Sequence, residues 1–549
     1  MRRILIVLAL FVLAPGAAPG AQSPQAAARD PRAAKIATAA IRGRVVAADT
    51  GMPLRRARLA LSAGVLERPL YTATDAQGRY EFADLPSGRY TLKASKTAYV
   101  TLEYGQRRAF EAGKPIELGD GVTLEKIDFS LPRGCVISGT VVDDLGEPVA
   151  LARVAALRSS FEEGKRKLVA TGLDVQTNDL GQYRLFGLQP GTYFVGTRPT
   201  PGPSLDGYPF APSYYPGTLN PAEAQRVVAR LGQERGGIDF VQPQGRLARL
   251  SGVVIDSAGR PLTAASVSIV SPSTGYGLGA PVKPDGSFAV QNIAPGDYVL
   301  IAMLRGQRVG DIEQTGLPMT VTGDDIAGLV LQMTHGCRLQ GRVVTDNGTA
   351  PAFRSAGARV DPLPVASDVP ISIRNIGTQG IVKDDWSFEM DGIGGTMLFR
   401  ISQLPASYML KSVLLDGRDI TDQPIDIKGT DDVTGLQVVI TSHVTEVSGA
   451  ALDAKGQPAL DYTVVVFADD AVRWKYPSRF LATARPDQQG RFKIANLPPG
   501  RYLAVAVEYL DEDQWGDPDY LQALRPQATM FTLSAGEART LDLKVVTPQ

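Results

Sequence analysis

Two histidines and two cysteines are the whole supply of imidazole and thiol in this chain of 549 residues. His443 and Glu446 stand in a His-x-x-Glu arrangement, a spacing that can supply two zinc ligands. A zinc site needs a third protein ligand, yet no histidine follows His443 and His335 lies far upstream. Along a strand, residues three apart face opposite ways, so the pair is expected to mark a strand junction and no metal site. Cys135 and Cys337 recur at one place in a repeated pattern where another copy has Ala248. That position suits a small buried hydrophobe, and two shielded thiols are expected over a disulfide between non-adjacent segments. Asp511, Asp513, Asp517 and Asp519 open like a calcium loop around Gly516. Trp515 then takes the third ligand position and Gln522 the place of the closing Glu, which leaves an acidic, solvated loop as the expectation. No phosphate loop, nucleophile elbow, dinucleotide fingerprint or Ser/His/Asp set can be assembled, so no catalytic residue, cofactor or metal is expected.

Aromatic residues are better placed to bind something. Tyr208, Phe210, Tyr214 and Tyr215 crowd into a Pro-rich segment, 207–217, that cannot be a central strand. Trp515 lies in a second aromatic stretch between Tyr509 and Tyr520. Flat rings with polar tips suit a sugar ring or a partner's surface. In the competing view the same rings pack onto a neighbouring part of the chain.

Lys+Arg and Asp+Glu are both 57, which argues against nucleic acid or an anionic membrane as a bulk electrostatic partner. At the N-terminus, Arg2 and Arg3 precede an apolar run from Ile4 to Leu13 and then small residues and prolines. This order predicts a signal peptide over 1–21, followed by a disordered lead-in over 22–38. No later run is long enough to span a bilayer, so a periplasmic or secreted chain without a membrane span after cleavage is expected.

The elements that would position any site come from an internal repeat. An apolar-x-Gly triplet ends at Gly43, Gly139, Gly252, Gly341 and Gly449, with a turn glycine following at Gly51, Gly146, Gly259, Gly348 and Gly456. Gly-x-aromatic then appears at Gly78, Gly181, Gly286 and Gly490, and a Tyr follows its aromatic ten residues later in each (Tyr90, Tyr193, Tyr298, Tyr502). Flanking residues alternate with period two, the mark of half-buried strands. The fourth copy is divergent: Trp386 replaces the turn glycine, which predicts a different turn there. Gly88, Gly191, Gly296 and Gly500, just before the final Tyr, are expected to hold positive φ. Each copy closes with an alternating strand. The spacing predicts an all-β chain: a tandem array of five Ig-like or transthyretin-like antiparallel β-sandwiches on short linkers, over 39–133, 134–245, 246–334, 335–442 (divergent) and 443–549.

Taken together, the apolar-x-Gly-x-Val opening, Gly-x-Pro-Leu, Thr74 to Tyr80 and Leu85 to Tyr90 resemble the carboxypeptidase regulatory-like domain. The resemblance implies a transthyretin-like sandwich of the non-catalytic kind in an extracytoplasmic setting. Related sandwiches bind carbohydrate, which gives a hint of ligand class by analogy alone. The expected function is a non-catalytic binding or adhesion scaffold for glycan or a cell-envelope protein. A passive spacer or accessory to an envelope complex is the alternative, with a zinc carboxypeptidase-like enzyme a remote one resting on His443 and Glu446.

Overall fold

A computed structural model describes residues 38–547 except 163, 199–211, 244–246, 263–264, 306–311, 334–336, 356, 366–378, 428–431 and 512–513. The expected signal peptide and all but the last residue of the lead-in lie outside the described residues, as do Tyr208, Phe210, His335 and Asp513.

Module one shows the plan. Its strands are β1 (Ala39–Ala47), β2 (Arg58–Ala63), β3 (Leu70–Ala73), β4 (Arg79–Leu85), β5 (Gly88–Ser95), β6 (Leu102–Glu103), β7 (Ile116–Leu118), β8 (Thr123–Leu124) and β9 (Phe129–Leu131). One sheet sets β1 between β4 and the pair β8 and β9; the other runs β3-β2-β5 and adds β6 and β7. Alternation drives Tyr80 and Phe82 of β4, and Tyr90, Leu92 and Ala94 of β5, into the space between the sheets, where all are buried. Glu81, Arg89 and Lys93 face solvent. Each of the five segments carries an apolar core of its own, centred for example on Leu59, Ile137, Leu250, Phe388 and Val464.

Every module contains a parallel pairing. The opening strand takes the closing strand alongside it: Val45 with Phe129, Val141 with Phe240, Val253 with Val330, Val343 with Val438 and Ala450 with Asp542. This explains the first glycine of the repeat. A Cβ at Gly43, Gly139, Gly252, Gly341 or Gly449 would fall far inside contact distance of a closing-strand carbonyl, that of Ile127, Ile238, Leu329, Leu436 or Leu541. The closing strand can lie this close only where the opening strand has no side chain. In modules one and two the repeat tyrosine secures the same carbonyl: Tyr80 Oη donates to Ile127 O, and Tyr183 Oη to Ile238 O at 2.7 Å.

The turn glycines behave as their spacing predicts. Gly51, Gly146, Gly259, Gly348 and Gly456 hold φ between 67° and 82°. Trp386 departs from expectation, because the turn keeps its shape. Trp386 adopts φ 64° and makes the same bonds, with its N–H donating to Lys383 O at 2.9 Å and its carbonyl accepting from Val343 N at 2.8 Å. A left-handed tryptophan costs about 1–3 kcal/mol. Burial offsets this, since the indole is 4% exposed and meets Phe353 edge-on at 4.9 Å.

A second expectation is overturned. Among Gly88, Gly191, Gly296 and Gly500, only Gly296 has positive φ, at 155°. Each of the four opens a strand instead. The left-handed residue sits a few positions earlier, at Asp84, Gly187, Asn292, Gly392 and Asn496. These are the residue types that tolerate that conformation, and in modules one to four the opening strand is irregular in register opposite them. Gly191 has a different reason to be glycine: a Cβ there would strike the Phe110 ring of module one at 2.6 Å.

The array folds back on itself. Module five docks against modules one and two as well as module four. Arg485, with a side chain 3% exposed, reaches Glu111 of module one, itself 1% exposed, and Asp461 at 2.6 Å. Tyr509 Oη donates to Ala109 O at 2.8 Å. Arg158 of module two joins three modules: it lies 3.1 Å over the Phe110 ring and pairs with Asp511 at 2.6 Å. On the module-four side, Arg479 grips Asp422 in a two-pronged pair at 2.8–3.1 Å.

A cleft between modules two and three

The expected loci fall in different places. His443 is mostly exposed and approaches Asp346 (Nδ1 to Oδ2, 3.4 Å) and Thr441 (3.1 Å), while Glu446 pairs with Lys493 at 2.6 Å. Hydrogen bonding from Thr441 holds the Asp346 carboxyl below its ordinary range, despite some desolvation. Cys135 and Cys337 are buried thiols, and burial pushes the Cys135 thiol up to about 11. Among the described residues, no three His, Cys, Asp or Glu side chains are placed to hold a metal.

The acidic loop is not the solvated loop expected. Asp511 lies against Arg158, and Asp517 pairs with Arg166 at 2.6 Å, while Asp519 is 91% exposed. Asp517 also caps the short helix Pro518–Leu524, its Oδ1 accepting from Asp519 N at 3.0 Å. Trp515 is half-buried and packs on the module-five core. The loop serves as a docking surface for module two, which charge counting along one segment could not show.

Tyr214 is likewise no exposed ring. It is 5% exposed, and its ring rests on the open face of Gly196, where a Cβ would come within 2.6 Å. Backbone bonds hold it there: Tyr214 N donates to Thr218 O at 2.7 Å, and Tyr215 N to Val195 O at 2.8 Å. Tyr215 is half-buried against the module-two core.

Tyr214 nevertheless lines a cleft of about 1340 Å³ between modules two and three. Phe194 and Tyr214 come from module two, Tyr276 and Tyr298 from module three. The strand Ser266–Val270 and its hairpin partner Gly277–Pro281 hold Tyr276 at their connecting turn, and the strand Gly296–Arg305 carries Tyr298. The two modules meet directly: Leu168 N donates to Ser273 O at 3.1 Å, and Arg198 lies 4.3 Å over the Tyr276 ring. Burial first, then nearby Tyr276 and Tyr298, pushes the Tyr214 phenol above its ordinary value. Burial raises Tyr298 to about 12 and also raises Tyr276, against an opposing effect of Arg198. All three phenols therefore stay neutral at physiological pH, able to donate and accept hydrogen bonds. The Tyr276 hydroxyl is buried and has no hydrogen-bond partner among the described residues. The sequence marks Tyr214 as a candidate contact but not Tyr276, which reads as a loop residue, nor Tyr298, which reads as a repeat tyrosine of a strand, until the two modules are brought together.

Residues 40–132 and 249–334 each match the family model of the carboxypeptidase regulatory-like domain. Modules one and three are thus similar to carboxypeptidase regulatory-like domains. The second wall of the cleft, module three, is one of the two matched segments. No curated protein sequence matches the chain. Solved structures with some likeness include the Bacillus anthracis TIE protein, at 11% identity and TM-score 0.16 over 70% of this chain and 69% of that one. The minor pilin GBS52 of Streptococcus agalactiae follows at 14% identity and TM-score 0.21, covering 38% of this chain and 96% of that one. The major pilin subunit BcpA of Bacillus cereus shows 11% identity and TM-score 0.14 over 54% and 99%. Similarity at this level carries no functional argument. No helix among the described residues is long and apolar enough to cross a membrane.

Proposed function

We propose that the chain is a non-catalytic extracytoplasmic scaffold of five β-sandwich modules that binds carbohydrate at the cell envelope. The observation that carries this is the tyrosine-lined cleft between modules two and three. It is wide enough for several sugar units, walled by neutral phenols, and holds a buried hydroxyl with no partner among the described residues. Rings supply flat apolar faces and phenols supply directional hydrogen bonds, the two terms by which an uncharged ring of hydroxyls is gripped. The carboxypeptidase regulatory-like domains add an argument from family, since that domain is the non-catalytic part of the enzymes that carry it. Tyr208, Phe210, Tyr215 and Trp515 are proposed as further contacts to the same or a second ligand.

A glycan array probed with the chain from residue 22 onward tests the proposal. Tyr276→Ala with Tyr298→Ala should weaken retention about tenfold, the cost of truncating one good aromatic anchor, while the β-type circular dichroism stays intact. Retention of no glycan, or retention indifferent to these tyrosines, would leave the passive spacer as the better account.

A further inference from the structure

Independently of the cleft, we propose that module one docks on an anionic, phosphate-bearing lipid surface through the corner formed by Arg55, Arg56, Arg58 and Tyr71. The balanced charge of the whole chain conceals an uneven distribution. Residues 39–133 carry 15 Lys and Arg against 11 Asp and Glu, whereas 443–549 carry 11 against 14. Every residue of 39–133 is described. Arg42 is matched there by Glu81 and Glu125, Lys93 by Glu103, Arg79 by Asp75 and Arg133 by Asp49. Arg55, Arg56 and Arg58 are exposed and form no ion pair among the described residues.

Module two shows what sets this corner apart. Arg58 opens β2 and Arg153 opens the matching strand, each opposite a hairpin partner in the same register, Ala73 and Gln176. Two residues before that partner, module two has Asp174, which accepts from Arg153 Nε at 3.0 Å. Module four has Gln379 there, bonded to Arg359 at 2.9 Å. Module one has Tyr71, and the Arg58 guanidinium lies 4.5 Å from the centre of its ring. A ring orients the arginine and leaves its charge whole, where a carboxylate neutralises it. The turn before β2 repeats the contrast. Arg56 and Leu151 share a left-handed conformation, φ 54° and 58°, and each N–H donates to a threonine carbonyl, that of Thr74 or Thr177. On this common turn module two carries Ala150 and Leu151, and module one carries Arg55 and Arg56. Lys96 Nζ adds a further cation, donating to Arg55 O at 2.9 Å. The carboxyl next to Thr74, that of Asp75, is committed to Gln77 N and Arg79 N, both at 2.8 Å.

Three guanidinium groups thus crowd within four residues of an exposed turn and strand start. Each fork can take two phosphate oxygens. Exposed Tyr71 and Met52 lie in the same part of module one, and an amphipathic ring settles at the depth of lipid headgroups. An acidic protein would have to match the spacing of the cations, whereas headgroups move to meet them.

The test sediments the chain from residue 22 with vesicles of phosphatidylcholine alone, or of phosphatidylcholine and phosphatidylglycerol in equal parts. The mixed vesicles should retain it, and raising salt from about 0.1 to 1 M, which cuts the Debye length from about 10 to 3 Å, should release it. Arg55→Gln should weaken retention about fivefold, the worth of one cation at an anionic leaflet. Adding Arg56→Asn, which tolerates the left-handed backbone, should weaken it further; if that change disturbs the melt, Arg55→Gln alone decides. Arg42→Gln, which removes a matched cation of the same module, should leave retention unchanged. Equal retention by both vesicle types, or equal losses for Arg42→Gln and Arg55→Gln, would overturn the proposal. Soluble polyphosphate or polyglutamate that binds as tightly as the mixed vesicles would overturn it in favour of a soluble phosphate polymer or an acidic protein. Glycan retention by Arg55→Gln should match that of the unaltered chain, so this test and that of the carbohydrate reading fail separately.

Discussion

Replacing Arg485 with Met tests whether the array is closed by chemistry or only happens to be drawn together. The Arg485 and Glu111 side chains are 3% and 1% exposed, so both charges are out of water. Removing the cation leaves the Glu111 carboxylate buried, a change that commonly costs about 3–5 kcal/mol. Glu111 keeps part of its compensation, because Oε2 accepts from Arg107 N at 3.1 Å and Arg108 N at 3.2 Å. The lower end, about 3 kcal/mol, is the reasonable value, or two powers of ten in the docked population. The cost also has a ceiling: once it exceeds the free energy of docking, modules one and five part and water reaches Glu111. Denaturant unfolding and small-angle scattering together cover both outcomes. Arg485→Met should lose about 3 kcal/mol, or show a larger radius of gyration at unchanged secondary structure. Adding Glu111→Leu should restore much of the loss, because an apolar pair needs no compensation. Unchanged unfolding and unchanged scattering for Arg485→Met would refute the reasoning.

Gly252→Ala should open the parallel pair in module three, at a cost of about 1–3 kcal/mol or more. Faster amide hydrogen exchange over 250–255 and 326–332, with other modules unaffected, is the expected signature. The Asp75 carboxyl is held below its ordinary range, first by backbone N–H donation from Arg79. A carboxyl depressed in the folded state contributes stability above its unfolded pKa, near 3.9, and that contribution is lost as pH falls through the folded value. Asp75→Asn, the residue module two has at Asn178, should therefore flatten the acid side of the melting-temperature profile below about pH 4. Cys135, with its thiol raised to about 11 by burial, should resist a maleimide at about pH 8 and react once the chain is unfolded; rapid native labelling would count against its burial.

The architecture was legible because each copy repeats its turn chemistry. Gly-x-Pro and Gly-x-aromatic fix where strands end, and period-two alternation fixes which side is core. Parallel pairing was hidden because alternation is the same for either direction. Yet the sequence held its signature, a glycine in mid-strand beside a strand crowded with apolar residues. The left-handed column Asp84, Gly187, Asn292, Gly392 and Asn496 was also in plain view, but the more conspicuous Pro-Gly drew the inference to the next turn. What could not be read was how modules meet. Arg485 and Glu111 lie far apart in the chain and neither breaks a pattern. Tyr276 looks like any loop tyrosine until Arg198 and Tyr214 stand beside it. Contacts between modules leave no period in a sequence.

The parallel closing strand has a mechanical consequence. First and last strands that run the same way send the chain in at one pole of the module and out at the other. Tension on the chain then pulls the two strands past each other lengthwise, so their hydrogen bonds bear load together rather than parting one after another. Module five has the longest run of such bonds, from Glu446 with Ala538 to Leu452 with Lys544. Module two has only the short stretches at Val136–Ile137 and Val141–Val142. Under tension applied at its two ends, the chain should first unfurl from the Arg485 contact, then yield at module two, and keep module five intact longest.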